Sequence, residues 1–165
     1  MQGKSLLIVY QTSTGATEQI AGAIGRGASG ETGLTVTLQL ASATRATDIL
    51  AADGYVFASP EYLAAMGGLM KDFFDRCYYE VVDQVAGRPY ALAVCAGSDG
   101  HGAIRQIERI VTGWRLRAIA PPLLVLTHAQ TSTAILAPKI VAPADLERAT
   151  DLGAAFAAGL SSGIF

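Results

Sequence analysis

Charge is scarce in this chain: 12 Lys and Arg and 14 Asp and Glu make up 16% of 165 residues and leave a net charge of −2. With an isoelectric point near 5.6 and no basic cluster, the chain has nothing to neutralise a nucleic-acid backbone, and no partner of that kind is expected. Nor is there a large single-sign field to steer a protein partner. Cysteine is limited to Cys77 and Cys95, too far apart for a disulfide framework or a zinc site, which fits a reducing, cytoplasmic setting. Long hydrophobic runs are missing too. Gly, Pro or charge cuts each apolar stretch well before the roughly 18 residues of a membrane span, and no charged start leads into a signal segment.

What is there is apolar. Hydrophobic residues make up 51% of the chain, rich for a monomer with so little charge, so a homodimer or homotetramer is expected to hide part of that surface. By length, residues 1–165 read as one domain with a core large enough to need no metal or disulfide staple.

Short runs rich in β-branched or other apolar residues recur at 5–10, 34–40, 54–58, 90–96 and 123–127 and read as buried parallel strands. Segments of helical spacing alternate with them: Ile20, Ala23, Ile24; Met66, Leu69, Met70, Phe73, Phe74, Cys77; Ile104, Ile107, Ile110, Val111; and Leu146, Ala149, Leu152, Phe156, Leu160. Each is one apolar stripe. The crossover 41–53 is weak, with a short helix around 47–52 at best. This alternation predicts an α/β fold, a doubly wound five-stranded parallel sheet of order 2-1-3-4-5 with helices on both faces. Its ligand would sit at the switch between the first and third strands, where loops 11–17, 59–68 and 96–102 converge. The irregular stretch 128–143 exceeds an ordinary connection and is a candidate lid or interface arm.

The first of these loops, Gln11-Thr12-Ser13-Thr14-Gly15-Ala16-Thr17, places four hydroxyls and one glycine where a strand turns into a helix N-terminus. That is an anion site; the plainer alternative is a Ser/Thr-rich helix cap with nothing bound. It has neither the Gly-Lys-Ser/Thr of a Walker loop nor the G-x-G-x-x-G of a dinucleotide fingerprint. Lys4 and Arg26, the nearest basic residues in sequence, lie outside the turn, so a dianion would rest mainly on neutral donors and the helix dipole. A receiver domain of this topology would end its third strand on an acid, whereas this chain has Ser59-Pro60.

Thr12-Ser13-Thr14-Gly15-Ala16-Thr17 resembles the phosphate loop of flavodoxins. Ser59-Pro60-Glu61-Tyr62, followed by Met66-Gly67-Gly68-Leu69-Met70-Lys71-Asp72-Phe73-Phe74-Asp75-Arg76, resembles the second flavin loop of the NAD(P)H-dependent FMN reductases and of the tryptophan-repressor-binding-protein type quinone reductases. The element order matches over essentially the whole chain, the motifs over about two loops and one helix. This resemblance implies a flavodoxin-like fold and bound FMN, its phosphate on Thr12, Ser13, Thr14, Gly15, Ala16 and Thr17. It sets the ring between Ser59, Pro60, Glu61, Tyr62 and Leu63 on one side and Ala96, Gly97, Ser98 and Asp99 on the other. NADH or NADPH would be the hydride donor.

Several residues in these loops stay open to two readings. Pro60 stiffens the strand exit, so the backbone of Glu61 to Ala64 can be fixed against the ring edge, while the Glu61 side chain could be merely a helix-side or solvent charge. Tyr62 could stack on the ring or be a surface or interface tyrosine. Asp99 could accept a hydrogen bond from the flavin pyrimidine or shape a turn. His101 could meet the substrate or cap a helix beginning near Gly102. Cys77 and Cys95 read as core filling, Trp114 with Arg115 and Arg117 as packing at the sheet edge, and Lys71 with Asp75 as surface pairing.

Loop 96–102 carries no aromatic residue to cover the outer flavin face. An open face suits a hydride donor and a small acceptor that stack in turn. The expected function is thus an FMN-dependent NAD(P)H oxidoreductase acting on a quinone, another small acceptor or free flavin, with Tyr62 and His101 as substrate-face candidates and no metal. The alternatives are a flavodoxin-type one-electron carrier between proteins, and a domain of this fold that binds no flavin and serves in assembly.

Overall fold

The computed structural model describes residues 3–165. In chain order the elements are β1 (Lys4–Tyr10), α1 (Ala16–Ala28), β2 (Leu34–Leu40), α2 (Ala46–Ala51), β3 (Gly54–Tyr62), β4 (Ala65–Met66), α3 (Gly68–Val81), β5 (Pro89–Ala96), α4 (His101–Gly113), β6 (Arg117–Ala118), β7 (Leu123–Leu126), α5 (Ser132–Leu136) and α6 (Pro143–Ser162). The sheet runs β2-β1-β3-β5, and β6 and β7 both pair in parallel with β5. β6 lies beside Pro89 and Tyr90, and β7 beside Ala93 to Ala96. These two are one edge strand interrupted at Pro121-Pro122, neither of which has an N–H to donate to the ladder. With that strand counted once, the order is the expected 2-1-3-4-5, and the fold is flavodoxin-like.

Three details depart from the sequence reading. β2 is an edge strand and only half buried: Leu38 is 42% and Leu40 44% exposed. β3 runs on to Tyr62, four residues past Ala58, because it pairs antiparallel with β4 there. Met66 therefore belongs to that hairpin rather than to the helix stripe, and Leu69 in the first turn of α3 faces solvent.

Strand alternation sends side chains to two different cores. Leu7, Val9, Tyr55, Phe57, Tyr90 and Leu92 point to the face covered by α2, α3 and α4, where Phe73, Phe74 and Trp114 meet them. Leu6, Ile8, Val56, Ala58, Ala91, Ala93 and Cys95 point to the face covered by α1 and α6. On this second face the helices touch backbone to backbone. A Cβ on Gly153 would run into the Ile24 carbonyl, and one on Gly27 into the Thr150 carbonyl.

Candidate functional site

A cavity of about 340 Å³ opens at the C-terminal edge of β1, β3 and β5, with walls from the three expected loops and from segment 127–139. Loop 11–17 forms one end. Gly15 is the N-cap of α1 at φ 93°, a left-handed conformation that glycine adopts without strain, and α1 has no side-chain cap. The Thr12 hydroxyl instead accepts from the Gly15 N–H at 3.0 Å. Thr12, Ser13, Thr14, Ala16 and Thr17 line the cavity around this uncapped N-terminus, whose first-turn N–H groups suit an anion.

The opposite end is a tight hairpin. Glu61 pairs with Met66 and Tyr62 with Ala65, leaving Leu63 and Ala64 at φ 49° and 63° as the two turn residues. A two-residue turn with both φ positive is of the I′ kind, for which Asn-Gly is the usual choice. Leu and Ala in left-handed backbone each cost about 1–2 kcal/mol. That strain stands at the cavity rim, where Pro60, Glu61, Tyr62 and Leu63 line the wall and Leu63 is wholly exposed outward.

Polar side chains hold the hairpin in place. Ser59 Oγ, fully buried, accepts from the Gly67 N–H at 3.1 Å and donates to the Pro60 carbonyl at 2.8 Å. Gln11 Oε1 accepts from the Met70 N–H at 2.9 Å, and Gln106 Oε1 from the Met66 N–H at 2.9 Å. The Glu61 carboxylate accepts from the Gly100 N–H at 2.9 Å and the Ala103 N–H at 3.0 Å. Glu61 is therefore the cap of α4, an anion on the positive end of a helix, and not a solvent charge.

That finding also corrects the helix-cap reading of His101. α4 begins at His101 itself, with Gly100 as N-cap, and the imidazole Nδ1 lies 2.7 Å from Asp99 Oδ1. The hydrogen bond from His101 holds the Asp99 carboxyl below its ordinary range. Ala96 and Gly97 line the cavity, whereas Gly15, Ser59, Ser98, Asp99 and His101 stand outside its wall. Cys95, the last inward residue of β5 before the loop, also lines it, and burial pushes its thiol up to about 11. Trp114, expected to pack at the sheet edge, instead joins Phe57 of the central strand β3, Phe73 and Phe74 in a buried aromatic cluster, and Lys71 pairs with Asp75 at 2.8 Å.

The segment after β7 folds onto its own chain. The Lys139 N–H donates to the Thr14 carbonyl at 2.8 Å, Gln19 Nε2 to the Lys139 carbonyl at 2.8 Å, and the Val141 N–H to Gln19 Oε1 at 3.0 Å. Through these bonds Thr127, Ala129, Ile135 and Lys139 become part of the cavity wall. Sequence reasoning missed Lys139, Gln19 and Gln11. Gln11 opens the first loop and Gln19 follows it, so both were legible as neighbours, but Lys139 lies 120 residues from its Gln19 partner, and nothing local marks it.

The fold defines a flavodoxin-like class of protein. Within that class, the model of the family described as NADPH-dependent FMN reductase matches residues 19–131, and the chain belongs to that family. It is 30% identical over 97 residues to a flavodoxin of Aquifex aeolicus, a match covering 59% of this chain and half the length of that relative. Among solved structures it superposes on rubredoxin oxygen:oxidoreductase of Desulfovibrio gigas with a TM-score of 0.77 at 17% identity, covering 99% of this chain and 38% of that longer one. A flavodoxin-like WrbA-like protein from Agrobacterium tumefaciens gives 0.69 at 18% identity, covering 96% and 98% of the two chains. Identities this low speak to the fold alone.

Proposed function

We propose that this protein is an FMN-dependent NAD(P)H oxidoreductase that reduces a quinone, a comparable small acceptor or free flavin. The donor chemistry of the cavity fits FMN. Hydroxyls and an uncapped helix N-terminus lie at one end, and Pro60, Tyr62, Leu63 and Ala96 give an apolar, aromatic-bearing wall at the other. Thr12, Ser13, Thr14, Gly15, Ala16 and Thr17 would hold the phosphate. The backbone of Ser59 to Leu63 and of Ala96 to Asp99 would frame the ring, with Asp99 and Ser98 acting from outside the wall. Bound there, FMN supplies hydride acceptance from a dinucleotide and electron delivery to the acceptor. The chain's own part is orientation: the hairpin is held by Ser59, Gln11, Gln106 and Glu61, so its N–H groups are fixed before any ligand arrives. Of the two side chains proposed to meet the acceptor, Tyr62 stands on the cavity wall. His101 stands beyond it, with Nδ1 engaged by Asp99.

The observation that carries this reading over a carrier is the wall itself, on which Tyr62 is the sole aromatic residue. A planar donor and a planar acceptor then have a face to occupy in turn. The FMN-loaded protein should oxidise NADH or NADPH with menadione through many turnovers and with no second protein. Failure of both nicotinamides to reduce it would favour a one-electron carrier, the reading that the likeness to the Aquifex flavodoxin supports. The same proposal includes a homodimer or homotetramer, because Leu63, Leu69, Leu136 and Ile140 lie exposed. Sedimentation at micromolar concentration tests it, and a clean monomer would remove it.

A further inference from the structure

We infer that Lys139 is the cation of the phosphate end and selects FMN over riboflavin, an inference resting on the proposed FMN site. A phosphomonoester near neutral pH carries close to two negative charges, whereas the helix dipole offers about half of one positive charge. Among the residues lining the cavity, Lys139 is the one cation and Glu61 the one anion, and the Glu61 carboxylate is already held by two N–H groups of α4. The backbone on both sides of Lys139 is fixed at the hydroxyl end. Its N–H is bonded to the Thr14 carbonyl, its carbonyl to Gln19, and the following Val141 N–H to the same Gln19 side chain.

The Gln19 amide also donates to the Gly15 carbonyl at 3.0 Å, so one side chain ties the arm to the turn that forms the cradle. The ammonium itself is half-buried and donates to the Ile135 and Ala137 carbonyls at 2.8 and 2.6 Å. An ammonium has three protons, and these two bonds leave one for an anion in the cavity. The first loop needs no lysine of its own because the arm brings one from the far end of the chain.

The test is titration of apo-protein with FMN and with riboflavin, read by quenching of flavin fluorescence. Lys139→Met should weaken FMN about tenfold to a hundredfold, as loss of a charge-assisted bond does, and leave riboflavin within about twofold. Lys139→Arg should retain most of the FMN affinity. Lys139→Gln, which keeps a donor for the α5 carbonyls but no charge, should reproduce the selective loss if the methionine variant folds poorly. FMN affinity of the wild type should fall with salt more steeply than that of the uncharged variants. Parallel losses for both flavins would assign Lys139 to arm packing and overturn the proposal, as would unchanged FMN binding. A wild type that binds riboflavin and FMN equally, or neither, would instead sink the phosphate reading on which it stands.

Discussion

The two faces of the sheet are built in opposite ways. Under α2, α3 and α4 the core is made of rings: Phe57 lies 5.2 Å from Phe74, 6.2 Å from Phe73 and 6.4 Å from Trp114, centroid to centroid. Under α1 and α6 the core mixes alanine with aliphatic side chains such as Ile8, Ile20, Ile24 and Val56, and Gly27 and Gly153 let the two helices meet at their backbones. Each face carries one end of the cavity. The ring-built face sets α3 and α4, and with them the hairpin and Glu61; the small-residue face sets α1 and α6, and with them loop 11–17 and the arm bearing Lys139. Large side chains fix helices by interlocking shapes, and small ones by removing the gap between backbones.

The largest expected effect is on the ring-built face. Phe57→Ala removes the ring on which the others converge and should cost about 3–5 kcal/mol in urea unfolding, as large-to-small changes in a close-packed core do. Gly153→Ala acts on the other face. The new methyl group meets the Ile24 carbonyl, α1 and α6 must part, and the cost should be about 1–3 kcal/mol. The sharper contrast lies in binding: displacement of α1 disturbs the hydroxyl end, so Gly153→Ala should weaken FMN more than riboflavin. A milder lesion of the aromatic face, Phe57→Leu, should affect both flavins alike. If Gly153→Ala weakens both equally, the two ends of the cavity are not mounted on separate faces and the comparison fails.

How much of this was legible in the sequence depended on the range of the interaction. Strand order, helix stripes and the three converging loops follow from local periodicity and turn residues, and the structure reproduces them, with the last strand split where Pro121-Pro122 removes two donors. Glu61 and His101 were harder to read, because the cap of α4 comes from a carboxylate 39 residues upstream of Gly100 rather than from the helix's own first turn. The β2 edge read as buried because edge and centre strands share the same residue types. The arm was visible only as an overlong connection. Its docking rests on backbone and Gln19 hydrogen bonds and on the single buried side chain of Val141, which leave no hydrophobic periodicity to read.

The two cysteines give the finest test, since Cys77 belongs to the ring-built face and Cys95 to the other. Burial pushes both thiols from about 9 to about 11. Between those values the unfolded chain releases protons that the folded chain keeps, so the folded state binds more protons and stability falls as pH rises. The contribution is whole below pH 9 and lost by the time pH passes 11, at most about 2–3 kcal/mol per thiol. Cys77→Ala and Cys95→Ala should each flatten the stability profile over that window when unfolding midpoints are compared at pH 8 and pH 11. The thiols should part company in a labelling experiment at pH 8. Cys95 lines the cavity, so a thiol reagent should reach it through local opening, and saturating FMN should slow that reaction strongly. Cys77, on the inner face of α3, is fully buried and should react only at the rate set by global unfolding. Equal labelling of the two in the absence of flavin would mean that the aromatic face opens as readily as the cavity, against the packing on which the comparison rests.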